Sequence, residues 1–196
     1  MSEIGPSRVR GPRADAQRSR AAVLDAAIVL LGRRGDASME QIAAAAGVAR
    51  QTVYAHYPSR EALLDAVLER ITAEVIAVLD ALDLDTGPAP TALGRWVDAS
   101  WGLLDRYPLL LNGSLPVGGQ ADEHERHMPI IERLVVLVLR GQASGEFDPD
   151  VPATWLVSAI IALGHAAGQE VGAGRMNAHD AGGAFRDSSL RLCVKP

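Results

Sequence analysis

The chain has 196 residues, 48% of them hydrophobic, which suits one large domain or two small ones with a sizeable core. No apolar run is long enough to span a bilayer, and no apolar segment follows the N-terminal arginines as in a secretory signal. The one cysteine, Cys193, excludes an internal disulfide and reads as a small apolar residue, so a cytoplasmic location is expected.

The net charge of −5 argues against nucleic acid only until it is divided along the chain. Residues 1–57 hold eight arginines against five acids, a balance of +3, while the remainder holds eleven basic residues against nineteen acids, a balance of −8. A basic head on an acidic body suits a DNA-binding end joined to something that does not bind DNA.

Residues 1–16 are rich in Arg, Gly, Pro and Ser and are expected to be disordered, a solvated tail whose Arg8, Arg10 and Arg13 are candidates for a DNA-contacting arm. Over 17–34, Ala21, Leu24, Ala27, Ile28 and Leu31 recur at helical spacing. Two short helices are expected at about 39–46 and 50–56. Ser38 and Gln41 form a capping-box pattern before the first. Ile42, Ala43 and Ala46 give it an apolar stripe, and Gly47 supplies the positive φ that ends it. The second carries Arg50, Gln51, Thr52, Tyr54 and His56 outward, with Val53 and Tyr57 turned to the core. Pro58 stops it. Two short helices joined by a glycine turn form a helix-turn-helix, whose second helix is shaped for the major groove of DNA.

A fourth helix starts after Ser59 and is expected to reach about residue 82, with a long apolar face from Leu64 to Leu82. Residues 83–90 read as loop, 91–106 as helix and 112–121 as a mobile glycine-rich segment. Helix returns at about 123–143, with Pro129 near its start or kinking it. After a turn at 145–152, two last helices are expected at about 152–171 and 177–193. The first of these is apolar nearly all round and rich in small residues. With Ala184, Phe185, Leu190 and Leu192 of the second, it can supply half of a four-helix dimer interface. No strand alternation stands out, so the fold is expected to be all-α.

The segment Ile42-Ala43, Ala46-Gly47-Val48, Thr52-Val53-Tyr54 and His56 through Leu64 closely resembles the DNA-binding domain of TetR-family transcriptional regulators. Residues Arg140 to Asp150, Arg-Gly-Gln-Ala-Ser-Gly-Glu-Phe-Asp-Pro-Asp, resemble that family's turn between its seventh and eighth helices. Leu31 and Asp36 stand where the family usually has aromatics, Arg60 where it usually has lysine, and Ala55 where a larger, often polar residue is common. The resemblance implies about nine helices, a homodimer and a ligand-responsive body. It divides the chain into an arm at 1–16, a DNA-binding domain at 17–64 and a ligand-binding and dimerisation domain at 65–196.

On this reading Arg50 and Gln51 meet base edges, arginine pairing with guanine and glutamine with adenine. Thr52, Tyr54 and His56 are candidates for phosphate, sugar or a thymine methyl. Ser38 and Arg60 lie at helix N-termini, where a phosphate also meets free N–H groups. A dimer reading a palindromic operator and released by an unknown small molecule is expected. Pocket candidates are Trp96, Trp101, Tyr107, Asn112, Met128, Ile131, Trp155 and His165. The His124 and His127 pair reads as a solvated face rather than a metal site. No catalytic motif appears, and no enzyme activity or cofactor is expected.

Overall fold

The computed structural model describes residues 12–111 and 120–195, with the backbone alone at 12, 111, 120–127 and 129. The described residues hold eight α-helices, one turn of 3-10 helix and no strand. The expectation of about nine helices counted one more α-helix than these residues contain. The chain divides into two compact units after Val67, inside the fourth helix.

The first unit is a three-helix head. Helix α1 spans Pro12–Arg33, so a segment expected to be disordered up to residue 16 is helical from residue 12. Proline suits a first helical position because the N–H it lacks would have no partner there. Asp15 in the first turn favours the positive end of the helix and pairs with Arg18. Of the expected arm, Arg8 and Arg10 lie outside the described residues, and Arg13 is exposed on α1. The buried row of α1 is Val23, Ala27 and Leu31, at a spacing of four, while Ala21 is exposed. Both rows have helical spacing; packing on α2 selects the one that includes Val23.

Helices α2 (Met39–Ala46) and α3 (Arg50–His56) meet at Gly47, which takes φ 67°. A residue with a Cβ rarely adopts that conformation. The Ser38 side chain accepts from the Gln41 N–H at 3.3 Å, and the Ser38 N–H donates to the Gln41 side chain at 2.8 Å. Ile42, Val53 and Tyr57 close the head's core.

Helix α4 (Arg60–Asp80) is shared by both units. It ends two residues short of expectation because Asp83 opens a turn, its carboxylate accepting from the Thr86 N–H at 3.2 Å. The second unit continues with α5 (Ala89–Arg106), the 3-10 turn Pro108–Leu111, α6 (Gln120–Ala143), α7 (Ala153–Gly172) and α8 (Ala178–Cys193). Helix α5 begins two residues earlier than expected. Pro90 is harmless in a first turn, and Glu146 accepts from the Ala89 N–H at 3.2 Å. Helix α6 begins at residue 120 and runs through Pro129; residues 112–119 of the expected mobile segment lie outside the described residues.

The segment after α6 is more than a turn. The Arg140 guanidinium donates to the carbonyls of Gly87 at 2.7 Å and Leu84 at 3.0 Å. The Gln142 amide donates to those of Asp148 and Val151, at 2.8 and 2.7 Å. The Asp148 N–H donates to the Cys193 carbonyl at 2.8 Å, and Phe147 is 1% exposed. This one segment therefore ties the start of α5 and the end of α8 to the α6–α7 turn. Burial pushes the Cys193 thiol up to about 11, so it stays protonated and inert at neutral pH.

Candidate nucleic-acid interface and body cavity

Helix α3 has two chemically distinct faces. Val53 is fully buried and the following Tyr57 nearly so, and these anchor it. Arg50, Gln51, Tyr54 and Ala55 are exposed, with Thr52 and His56 partly so. Arg50 is already organised. Its Nη1 lies 2.8 Å from the Glu40 carboxylate, and its guanidinium sits 5.3 Å from the centre of the Tyr54 ring. Hydrogen bonding to its own backbone, then to Ser38, and the charge of Arg50 hold the Glu40 carboxyl below its ordinary range. Both partners of the pair are therefore charged at neutral pH.

Other candidates have structural partners as well. His56 Nε2 lies 2.8 Å from the Ser19 hydroxyl of α1. The Tyr57 hydroxyl accepts from Arg20 Nε at 3.3 Å. Arg60 donates to the carbonyls of Ala37 and, at 2.7 Å, Gly35, so it braces the α1–α2 turn. Ser38 is occupied as the cap of α2. An open groove runs along Asp15, Ser19, Gln51, Ala55 and His56, between the start of α1 and the exposed side of α3.

The body contains a cavity of about 410 Å³, with walls from the body part of α4 and from α5 to α8. Of the sequence candidates, Trp96, Ile131 and His165 line it. Four others do not. Trp101 lies against Gly182, where an added Cβ would come 2.6 Å from the indole, and its Nε1 donates to the Ala178 carbonyl at 3.0 Å. Tyr107 turns away to donate to Glu74 at 2.6 Å; burial, then this bond, raises its phenol above the ordinary value. Met128 is partly exposed and not in the wall. Trp155 is 64% exposed at the start of α7. Asn112 and the side chains of His124 and His127 lie outside the described residues.

Sequence reasoning missed Thr72, Ser100, Ile161, Gly164 and Phe185 in the wall. Thr72 and Ser100 were findable in principle, as hydroxyls on the inward rows of amphipathic helices. Gly164 had no signal, because its place in the wall depends on the Phe185 ring of α8, which lies 3.1 Å from where a Cβ at Gly164 would stand. Among the described residues, no group of three or more potential metal ligands assembles. No described helix is long and apolar enough to cross a membrane.

A capped helix-turn-helix head with a polar face on its second helix, joined to a helical body holding a cavity, defines a DNA-binding regulator with a ligand-binding body. The chain belongs to the TetR family. Residues 23–67 match the family model for bacterial regulatory proteins, tetR family. The chain is 35% identical over 148 residues to the HTH-type transcriptional repressor LfrR of Mycolicibacterium smegmatis, covering 75% of this chain and 76% of that protein. The crystal structure of LfrR in complex with proflavine superposes with a TM-score of 0.72 at 27% identity, over 95% of this chain and all of that one. The fatty acid degradation regulator FadR from Bacillus halodurans shares the fold, with a TM-score of 0.73 at 17% identity over 93% and 97% of the two chains. The protein is a transcriptional regulator and not an enzyme. Regulators of this family bind operator DNA and form dimers.

Proposed function

We propose that the protein is a homodimeric repressor that reads a palindromic operator with Arg50 and Gln51 and leaves it when a small molecule fills the body cavity. The observation that carries the reading is the split of α3 into a buried anchoring face and an exposed face of arginine, glutamine and tyrosine. Side chains at the start of a recognition helix reach base edges, while Thr52, Tyr54 and the bracing Arg60 suit the phosphate backbone.

Helices α7 and α8 are the proposed dimer face. Trp155, expected in the pocket, fits there better: a largely exposed indole is an anchor for a second copy. The repressor LfrR was solved in complex with proflavine, which supports a small-molecule effector. Such an effector acts only through a difference in affinity between the two states of the regulator, typically about 1–3 kcal/mol. Helix α4, shared by head and body, is the proposed lever.

The test is a binding-site selection with the purified protein and two variants. Arg50→Ala is expected to change the selected motif. Arg60→Ala is expected to weaken all sites by a similar factor, with some loss of head stability because it also frees the Gly35 and Ala37 carbonyls. Loss of affinity in both with an unchanged motif would remove Arg50 from base reading. Proflavine added to the selected complex probes release, and Ser100→Phe, which fills the cavity, should blunt it.

A further inference from the structure

We infer that Glu40 is a specificity-determining residue of the DNA-reading face, acting by positioning Arg50 and by repelling DNA that offers Arg50 no matching base. The inference rests on the reading that α3 faces the bases. Glu40 lies on α2, one helix away from the recognition helix, and nothing in its sequence position marks it for a role at DNA. Three observations assign one.

The first is geometric. Glu40 Oε1 holds Nη1 of Arg50 at 2.8 Å, and the Tyr54 ring supports the same guanidinium at 5.3 Å. The arginine is fixed from two sides before any DNA arrives. A guanidinium carries five N–H donors in a rigid fork, so one nitrogen resting on Glu40 still leaves donors for a guanine edge. An arginine swinging freely on its long stem would lose more side-chain entropy on binding.

The second is electrostatic. The Glu40 side chain is 51% exposed and ionised, on the basic end of the chain. A carboxylate near the phosphate backbone weakens attraction to every duplex alike. That cost is offset only where Arg50 gains a base contact.

The third is the choice of partner. Among the described residues Gln51, the other base-reading candidate, has no ion-pair partner, and Arg60 is held by backbone carbonyls rather than by an acid. The acid is placed on the arginine that opens α3.

The proposal separates cleanly from a stabilising ion pair. An exposed pair contributes little to folding. Removing the charge should therefore leave thermal stability nearly unchanged while altering discrimination.

The experiment uses the full chain, wild type beside Glu40→Gln, Glu40→Asp, Arg50→Ala and the double variant Glu40→Gln/Arg50→Ala. Fluorescence anisotropy measures affinity for the selected operator and for a scrambled duplex at three salt concentrations. Glu40→Gln should bind the scrambled duplex several-fold more tightly and lower the operator-to-scrambled ratio by about fivefold to tenfold, within the range one bidentate base contact supplies. Glu40→Asp, keeping the charge, should retain the tighter discrimination of the wild type better than the glutamine. With Arg50 already removed, Glu40→Gln should no longer change the ratio, although nonspecific affinity still rises.

A ratio for Glu40→Gln within twofold of wild type, while Arg50→Ala relaxes the motif, overturns the role of Glu40 and leaves the reading of α3 intact. An unchanged motif for Arg50→Ala overturns the reading itself, and the proposal with it.

Discussion

Head and body are both helical, but they are finished to different degrees. In the head, the core around Val23, Leu31, Ile42 and Val53 is filled and the α1–α2 turn is braced by Arg60. The buried side-chain polar atoms without a hydrogen-bond partner among the described residues are Arg95 Nε, Trp96 Nε1, Arg140 Nε and Ser189 Oγ, and all four belong to the body. The body also holds a partly open, mostly apolar cavity of about 410 Å³. An apolar cavity and unsatisfied polar groups both cost stability, and among the described residues the head's open space is instead a surface groove beside α3. The contrast matches what each half has to do. A reader of base edges needs a fixed geometry. A sensor needs a space that something else can complete.

The contrast can be broken most forcefully at the two cores. Phe147→Ala empties a fully packed site beneath Gly141, where an added Cβ would stand 2.2 Å from the ring, and should destabilise the protein by about 3–5 kcal/mol. Ile42→Ala in the head should cost somewhat less, about 2–4 kcal/mol. Denaturant titrations measure both. If the head is the rigid reader, the Ile42 variant loses DNA binding at temperatures where the body still takes up a ligand, and coincident loss of the two activities would erase the distinction.

A gentler test sharpens the claim that the body is imperfectly satisfied. Ser189 is fully buried and its hydroxyl has no partner among the described residues. Ser189→Ala removes a desolvated polar group at almost constant volume and should be neutral or stabilising by up to about 1 kcal/mol. A clear drop in melting temperature would mean the hydroxyl is satisfied after all.

The smallest expected effect is one of pH. A hydrogen bond from the Ser144 hydroxyl, then one from the Ala89 N–H, holds the Glu146 carboxyl below its ordinary 4.5. A carboxyl whose folded value is depressed contributes stability above its unfolded value and loses it as pH falls through the folded one. The melting-temperature difference between wild type and Glu146→Gln should therefore shrink from pH 6 toward pH 3. A constant difference across that range would show that Glu146 does not cap α5 as a carboxylate.

The same contrast explains which parts of the protein could be read early. The head announces itself because its determinants are local. A cap three residues from its partner, a glycine forced to positive φ and a proline stop all act within a turn or two. Even there, the buried row of α1 was legible only in part: Ala27 and Leu31 were expected and are buried, but Val23 completes the row in place of Ala21, as the packing of α2 and α3 decides. Arg60 escaped in part, because the carbonyls it braces are more than twenty positions away.

The cavity was far less legible. Trp96, Ile131 and His165 were proposed as pocket walls and do line it, but so were Trp101 and Trp155, which do not. Nothing local separates these tryptophans. Trp101 is turned aside by the close approach of α8 at Gly182, and Trp155 lies on a face of α7 that the described residues leave largely exposed.

By itself the amino-acid order determined the all-α class, the helix-turn-helix and the polar face of α3, since these follow from residue spacing and capping within a few turns. Only the tertiary structure decided which large side chains line a cavity and which acid holds Arg50. Those depend on distances between helices, and such distances are set by every packed side chain at once.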